Sequence, residues 1–379
     1  MAFRAEVRQF LDQQLGADLR LAECAGRLRW PIALADCAGH PLARPKAPGG
    51  AGGGLADPML IAQALGWALL PEPYTACCVI GAGLLQRLPG ALTRPLLAGV
   101  VDGTVRPVRA AQKPAARHDP AQVHATLRDS PAGALLTGRK AVVRAAPLAT
   151  HWLVTACDAA GLLRAAVVLP GAPGIARRDS RLADGGWAWE LAFDHTPVAA
   201  VLGPADQDLL PRLLQTLDEA RLVRGAESLG LMQRLMQRPM QRRMQRRMQR
   251  RMQDTLNPVR TRRQFGVALA SFQRVQHRLA DLHMLWLQAD ALVGATLAAM
   301  AGPAARRRRA VASAQVAVAR ACRSVGRGAV DLPGGIGIIN ELSVGHAFKR
   351  LTLIESHGGG VPAHLRQLAT DTAIPEALP

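Results

Sequence analysis

One run of residues, RTRRQFGVALASFQRVQHRLADL at positions 260–282, combines side-chain types that can bind a phosphate-bearing ligand. Arg262 and Arg263 precede Gln264 and Phe265, and residues at helical spacing follow them. A guanidinium donates forked hydrogen bonds that match phosphate oxygens, and the free amides at a helix start favour the same negative charge. The run therefore predicts an anion-binding turn that leads into a helix. Taken alone, it is also typical of an ordinary solvated helix start.

The composition is that of a globular and strongly basic chain. Its 379 residues are 49% hydrophobic, which allows two or three domains with a sizeable core. The net charge of +19 favours polyanionic partners such as nucleic acid, membrane surfaces or phosphate-bearing ligands. About half of the excess comes from one segment, because eleven arginines lie between Leu231 and Arg263 against one acid, Asp254. The rest of the chain is only moderately basic, so a nucleic-acid partner is a weak expectation.

The cysteines and the apolar runs bear on the compartment. The six cysteines show neither metal-ligand spacing nor a disulfide-like density, which favours a reducing, cytoplasmic location. No apolar run approaches the roughly 18 residues that cross a membrane, so no membrane span is predicted. Residues 3–15 are typical of an amphipathic helix rather than of a signal peptide.

The chain divides by pattern into helical, β-rich and helical parts. Residues 1–104 are predicted to form an N-terminal helical domain with helices at 57–70 and 75–88. In 105–203, short runs such as KAVVRA, HWLVTAC, LLRAAVVL and WAWELAF alternate with Gly and Pro turns, which predicts an antiparallel β domain. Long helices return in 204–379. The predicted fold class is mainly α with a central β domain.

Residues 231–254 form a tandem repeat of tetrads, LMQR LMQR PMQR RMQR RMQR RMQD. A period of four nearly matches the helical turn, but Pro239 interrupts the pattern because an interior proline costs about 3 kcal/mol. We interpret the repeat as an insertion that forms an exposed bulge or helical hairpin, since its arginines repel one another and stay solvated. A neutral expansion is favoured over nucleic-acid binding, because no aromatic residues interleave for base stacking.

Several stretches together resemble the acyl-CoA dehydrogenase family. RRQFG followed by FQRVQHRLAD is similar to the family's signature, while ALGWALLPEPY, TGRKAVV with HWLVTA, and GGIGIINELSVGHAFKR resemble its N-terminal, β and last helical parts. The resemblance covers nearly the whole chain and is closest to the bacterial branch that includes small subunits of pimeloyl-CoA dehydrogenases. It implies an N-terminal helical domain, a central antiparallel β domain and a C-terminal four-helix bundle. Against the family pattern, the repeat region is about 16 residues too long, which equals about 24 Å of helix.

The resemblance also implies an FAD site that is shared between chains. The cofactor-binding residues that it implies are Arg262, Gln264, Phe265, Gln273, Gly334 and Gly335. Arg262 would pair with the diphosphate, and Gln273 would reach towards the adenine end. The two glycines would let the backbone of a neighbouring chain approach the cofactor closely. Three positions depart from the family: Asp331 replaces a usual Gln, while Val142 and Arg144 replace a flavin-facing Trp and Thr.

A carboxylate base is the other requirement of the implied reaction, because an α-proton must leave the thioester while FAD takes a hydride. The two positions at which the family places this base are occupied here by Gly359 and Ala220. Glu219 is adjacent to the second position, but one residue turns about 100° around a helix. Glu355 lies one turn before Gly359 and is the weak candidate for the base.

Three functions stay open on the sequence. The first is an FAD-dependent acyl-CoA dehydrogenase that desaturates an acyl-CoA between its α and β carbons and passes electrons to an electron-transfer flavoprotein-like acceptor. The second is a catalytically silent subunit that completes the FAD site of a partner acyl-CoA dehydrogenase, in a homo- or hetero-oligomer. The third, a nucleic-acid-binding protein that uses the arginine-rich repeat, is remote.

Overall fold

A computed structural model describes most of the chain in two compact units. The described residues are 54–70, 73–111, 119–237, 271–332 and 343–371, with the backbone alone at 263–264 and 267–268. One unit contains the described residues of 59–70 and of 221 onwards, and the other contains 54–58, 73–111 and 119–220. The division into three domains at 104 and 203 stays a prediction, and the helix predicted at 3–15 lies outside the described residues.

Short helices lie within residues 56–68 and 75–101. They are α1 (Ala56–Ala68), a π-helical turn (Thr75–Gly81) that continues into α2 (Ala82–Arg87), and α3 (Thr93–Val101). The helices predicted at 57–70 and 75–88 are present. The sequence did not predict α3, because its Pro95 and Gly99 are residues typical of turns.

Eight strands form one sheet in residues 107–202. They are β1 (Pro107–Ala110), β2 (Thr126–Ser130), β3 (Gly133–Arg144), β4 (His151–Cys157), β5 (Leu163–Val168), β6 (Ile175–Arg181), β7 (Trp187–Pro197) and β8 (Ala200–Leu202). The order is β6-β7-β3-β2-β4-β5-β8, and β1 pairs with β4. The prediction of a purely antiparallel sheet was wrong in one respect: β1 and β2 both pair with β4 in parallel. Longer connections join these strands, and such connections permit parallel pairing.

Aromatic rings fill the core of this sheet. Trp152 is 1% exposed, and its ring meets Trp189 edge-on at 6.0 Å and Phe193 at 6.4 Å between centroids. Such edge-to-face pairs add about 0.5–1.5 kcal/mol beyond the burial of their area. The aromatic contacts therefore join β4 to β7, two strands that are separated in the sheet by β3 and β2, although aromatic residues are rare in the chain.

Among the described residues, five longer helices follow the sheet. They are α4 (Leu210–Gln237), α5 (Gln273–Ala299), α6 (Ala304–Asp331), α7 (Ser343–Ser356) and α8 (Gly360–Asp371). Helix α6 packs against α5, α7 and α8 and is the centre of a helical bundle. The predicted fold class, mainly α with a β domain and a C-terminal bundle, is confirmed.

Glycines set the crossing of α1 and α4. A Cβ atom at Gly66 would lie 2.0 Å from the carbonyl oxygen of Glu227, and one at Gly230 would lie 1.9 Å from that of Gln63. Any larger residue at either position would push the two backbones apart. At the end of α1, the guanidinium of Arg234 donates a hydrogen bond to the carbonyl oxygen of Trp67 at 2.8 Å. This bond satisfies a backbone acceptor in the last turn of the helix.

The beginning of the tetrad repeat is part of α4. Residues 231–237 continue the helix, and Leu231, Met232 and Leu235 are at most 6% exposed. The predicted exposure of the repeat therefore does not hold for residues 231–235, which are buried, and the apolar side chains among them complete the core. The remaining residues, 238–254, lie outside the described part of the chain.

By length and composition alone, helix α5 could cross a membrane. Of its most apolar stretch, 28% is buried inside the protein. Core and interface helices of globular proteins pass the same test. The expectation that the chain has no membrane span stays a prediction.

Candidate functional site

The start of α5 carries a cluster of donors suited to phosphate groups. A cavity of about 620 Å³ is lined by Gln273, Arg274, His277, Arg278 and Asp281. These residues recur at helical spacing on one exposed side of the helix. The first turn contains no acid, and the residue before it, Phe272, provides no side-chain cap. Free amides and two guanidinium groups at one helix start form an anion-binding surface.

A small hairpin lies directly before this helix. Strands β9 (Arg263–Gln264) and β10 (Val267–Ala268) are antiparallel, and Gln264 pairs with Val267. Arg263 and Gln264, which the sequence analysis placed in a turn, are thus part of a strand, and the other residues of the predicted turn lie outside the described residues. Gln273 is the first residue of α5 and is exposed. Of the other predicted cofactor-binding residues, Arg262, Phe265, Gly334 and Gly335 lie outside the described residues, so their roles stay predictions.

Both carboxylates near the expected base positions are bound to arginines. Glu355, in the last turn of α7, accepts two hydrogen bonds from Arg323 of α6, one of them 2.8 Å from Nε to Oε1. Glu219, beside Ala220 on α4, accepts from Arg87 at 2.5 Å. Each arginine therefore holds one oxygen of its carboxylate partner in an ion pair.

The flavin-facing positions implied by the resemblance lie at an irregular part of the sheet. Val142 has a φ of +49°, and the register between β3 and β7 shifts between Lys140 and Val143. A β-branched residue rarely adopts this left-handed conformation, so the bulge is strained. Val142 is 41% exposed, and Arg144 is half-buried. Asp331, the third departure, is exposed at the end of α6.

A polar stripe on α4, which the sequence analysis missed, faces the last two helices. Arg221, Arg224 and Glu227 recur every third residue and therefore share one side of the helix. Arg224 Nη1 lies 3.2 Å from Nδ1 of His357, and Arg350 of α7 donates to Glu227 at 2.7 Å. Since a guanidinium can only donate, His357 accepts through Nδ1 and carries its proton on Nε2.

Three consecutive glycines with positive φ lie where α7 is followed by α8, and the last of them is the first residue of α8. Gly358, Gly359 and Gly360 have φ values of +68°, +95° and +62°. A Cβ atom at Gly358 would lie 4.0 Å from Nε of Arg221. On α8, burial and the Arg221 charge lower the pKa of His364 to about 4, so its imidazole is neutral. The position at which the resemblance places a catalytic carboxylate is thus occupied by a glycine turn beside arginines.

Within the described ranges, no group of histidine, cysteine and acidic side chains could hold a metal ion.

The chain is similar in sequence to one known domain. Residues 236–371 match the family model described as "Acyl-CoA dehydrogenase, C-terminal domain". No curated protein matches the chain in sequence. The match includes α5 to α8 and with them the cavity at the start of α5.

Solved structures match almost the whole chain. A variant of the Tcur3481-Tcur3483 steroid ACAD is 27% identical, with a TM-score of 0.82, and 98% of this chain and 96% of that chain are covered. The ChsE4-ChsE5 complex from Mycobacterium tuberculosis is 23% identical, with a TM-score of 0.83 and coverages of 99% and 97%. An acyl-CoA dehydrogenase from Geobacillus kaustophilus is 19% identical, with a TM-score of 0.85 and coverages of 98% and 97%.

These matches define the class of the protein. The chain has the acyl-CoA dehydrogenase fold, and its C-terminal domain is that of the acyl-CoA dehydrogenase family. The resemblance carried by RRQFG, FQRVQHRLAD and GGIGIINELSVGHAFKR is confirmed for residues 236–371, and the implied fold is confirmed for the chain.

Proposed function

We propose that this chain is a subunit of an FAD-dependent acyl-CoA dehydrogenase, in which a partner chain of the same fold supplies the catalytic carboxylate. The observation that carries this proposal is the engagement of Glu355 with Arg323 through Nε and Nη2. The carboxylate nearest in sequence to the family's base position is therefore held against the adjoining helix by an ion pair. Both hydrogen bonds go to Oε1, so in a self-sufficient dehydrogenase Glu355 would have to accept the proton through Oε2 while Arg323 keeps Oε1.

The donor set at α5 supports a contribution to FAD binding. Gln273, Arg274, His277 and Arg278 offer an amide, two guanidinium groups and an imidazole, which suit a diphosphate and its adjoining sugar. Bound FAD would supply the hydride acceptor for desaturation of the acyl-CoA. This chain's residues would hold the anionic part of the cofactor, and the strained Val142 and the bulky Arg144 make its own β domain a poor platform for a flavin ring.

The relatives support an assembly of two different chains. The similar Tcur3481-Tcur3483 and ChsE4-ChsE5 structures are each named as pairs of proteins. We extend this arrangement to the present chain and include an electron-transfer flavoprotein-like acceptor for the reduced flavin. A reducing, cytoplasmic location is part of the same proposal, which rests on the lack of a disulfide-like density among the six cysteines.

Absorbance spectroscopy tests the proposal. The full chain is purified alone and after co-expression with a chain of the same fold that carries a glutamate at the position matching Gly359. We expect little flavin colour in the isolated chain, and a yellow complex that is bleached by acyl-CoA. Flavin missing from both preparations would remove the proposal. An isolated chain that is yellow and reduces a dye with acyl-CoA would instead establish a self-sufficient enzyme.

A matched pair of substitutions tests the cofactor contact. Gln273→Ala is expected to weaken FAD binding by the complex about tenfold, because one hydrogen bond to a charged ligand is lost. Gln288→Ala, at an exposed position of the same helix, is the control and should leave the affinity unchanged. Fluorescence quenching of added FAD measures both, without dependence on turnover. Equal affinities for the two variants would refute a role of Gln273 in cofactor binding.

A further inference from the structure

Half-buried hydrogen-bond donors lie around residues 358–360, which we call the glycine turn. From α4, Nε of Arg221 would lie 4.0 Å from a Cβ atom at Gly358, and Nη1 of Arg224 lies 3.2 Å from Nδ1 of His357, the residue before the turn. All of these residues belong to one compact unit. Because Arg221, Arg224 and His357 are only half-buried, small solutes can reach them.

The side chains around the glycine turn offer donors and no acidic acceptor of their own. A guanidinium carries five N–H donors, so the contacts that Arg221 and Arg224 make within the protein do not have to use them all. His357 accepts from Arg224 through Nδ1 and can therefore donate through Nε2. A matching ligand must supply acceptors. An ionised carboxylate supplies only acceptors, on two oxygens that fit the forked guanidinium.

The charged groups next to the glycine turn favour an anion. Burial and the Arg221 charge lower the pKa of His364 to about 4, so its imidazole is neutral. Glu227 and Glu355 are each bound by an arginine of another helix, which balances their charge. An anion beside Arg221 would be attracted more strongly than in water, because the attraction between charges increases as water is excluded.

The three glycines keep space open beside Arg221. Their φ values of +68°, +95° and +62° lie in the region that favours glycine. A Cβ atom at Gly358 would already be in van der Waals contact with the guanidinium group. A longer side chain at this position would therefore occupy the place at which a ligand can meet Arg221. The turn leaves backbone, and not a side chain, next to the donors.

We propose that Arg221, Arg224 and His357 form, beside the glycine turn, a binding site for the carboxylate of a small organic acid. The inference goes beyond the proposed function and rests on it only for its meaning. The glycine turn contains Gly359, the position at which the resemblance places the catalytic carboxylate. A chain that binds a free acid there uses the position for recognition, with the charges reversed: the protein supplies the cations and the ligand supplies the carboxylate.

Calorimetric titration of the full chain with sodium butyrate, at constant ionic strength, tests the site. Butyramide is the matched control ligand, because it has the same size and shape but no charge. We expect butyrate to bind, and butyramide to bind at least about tenfold more weakly, since its hydrogen bonds are not charge-assisted. No flavin is added, so a failure of the proposed function and a failure of this site are read from different measurements.

A matched pair of substitutions locates the bound acid. Arg224→Gln should weaken the binding of butyrate about tenfold, because a charge-assisted hydrogen bond is lost. Arg178→Gln, at an exposed position of β6 in the other unit, is the control and should leave the affinity unchanged. If Arg224→Gln does not fold, as judged by circular dichroism, His357→Ala replaces it and should also weaken the binding.

Four results would each overturn the inference. They are the lack of butyrate binding, equal affinities for butyrate and butyramide, an affinity for butyrate that the substitution beside the glycine turn leaves unchanged, and tighter binding of inorganic phosphate than of butyrate. The last result would assign the donors to a different anion.

Discussion

Arg350 of α7 and Glu227 of α4 form an ion pair inside the helical bundle. Nε and Nη2 of Arg350 lie 2.7 Å and 2.6 Å from Oε1 of Glu227, and the carboxylate side chain is 8% exposed. The pair joins two helices through residues that are 123 positions apart in sequence. A charge in this position is tolerated because its partner is in place, and removal of either member leaves the other charge buried.

Breaking this pair should therefore destabilise the protein strongly. Arg350→Met is expected to lower the free energy of unfolding by about 3 kcal/mol, since Glu227 stays buried without its partner. Arg323→Gln breaks the pair with Glu355, but the Arg323 side chain is 54% exposed, and a loss of no more than about 1 kcal/mol is expected. Urea unfolding of both variants decides the comparison, and equal losses would contradict the role of burial.

The close crossing of α1 and α4 predicts a contrast between two glycine substitutions. Gly230→Ala should lower the free energy of unfolding by about 2 kcal/mol or more, because the new Cβ atom meets the Gln63 carbonyl at 1.9 Å. Gly294→Ala, in open space on α5, should instead stabilise by up to about 1 kcal/mol, since alanine favours the helix. Thermal unfolding followed by circular dichroism measures both. A neutral Gly230→Ala variant would mean that the helices separate easily.

His364 should make stability depend on pH in the acidic range. Its pKa is lowered to about 4 in the folded protein by burial and by Arg221, whereas an unfolded histidine has a pKa near 6.5. Between these values the unfolded chain binds a proton that the folded chain does not, so protonation favours unfolding. Above about pH 6.5 the titration of His364 does not change the free energy of unfolding. As the pH decreases from about 6.5 towards 4, it lowers that free energy by up to about 3 kcal/mol.

Unfolding free energies at a series of pH values check this contribution. His364→Asn should flatten the curve between pH 4 and 6.5, relative to the wild type. His195→Asn is the control, because that side chain is 66% exposed, and it should leave the slope unchanged. A His364→Asn variant with the slope of the wild type would assign the pH dependence to other groups.

The Cys322 thiol should be inert in the folded protein. The residue is 1% exposed, and burial raises the pKa of its thiol to about 12. The thiolate is the reactive species, so alkylation at pH 8 should be very slow until the chain unfolds. Mass-spectrometric mapping of labelled peptides, with the half-buried Cys78 as the internal comparison, measures this. Labelling of Cys322 as fast as Cys78 would show that the bundle opens readily.

Local patterns predicted most of the fold but not its irregular parts. The runs KAVVRA, HWLVTAC, LLRAAVVL and WAWELAF all lie in strands, because their residues are apolar and β-branched or aromatic. Strand β6 was missed, since its residues are mostly exposed and lack the alternation that marks a half-buried strand. The parallel pairings of β4 were also missed, because partners distant in sequence leave no local signal.

In the candidate functional site, too, contacts between residues distant in sequence could not be predicted. The sequence analysis expected Gln273 within a helix that follows a turn at 262–266, whereas Gln273 is the first residue of α5; its role in cofactor binding stays a prediction. The contact of Arg224 with His357 joins residues 133 positions apart, and no spacing along the chain indicates it. A signal did exist in Arg221, Arg224 and Glu227, which recur at every third position of a largely apolar helix. Polar residues on the buried side of a helix need partners, and this need could have identified them.

The tetrads that complete the core of α4 are different from the ones that repeat most regularly. The first seven residues, 231–237, hold the leucines that complete the core of α4, whereas the later tetrads are nearly identical RMQR units. A change in the number of these whole tetrads would leave Leu231 and Leu235 in place. The length of the tract and the packing of α4 therefore depend on different residues of the same repeat.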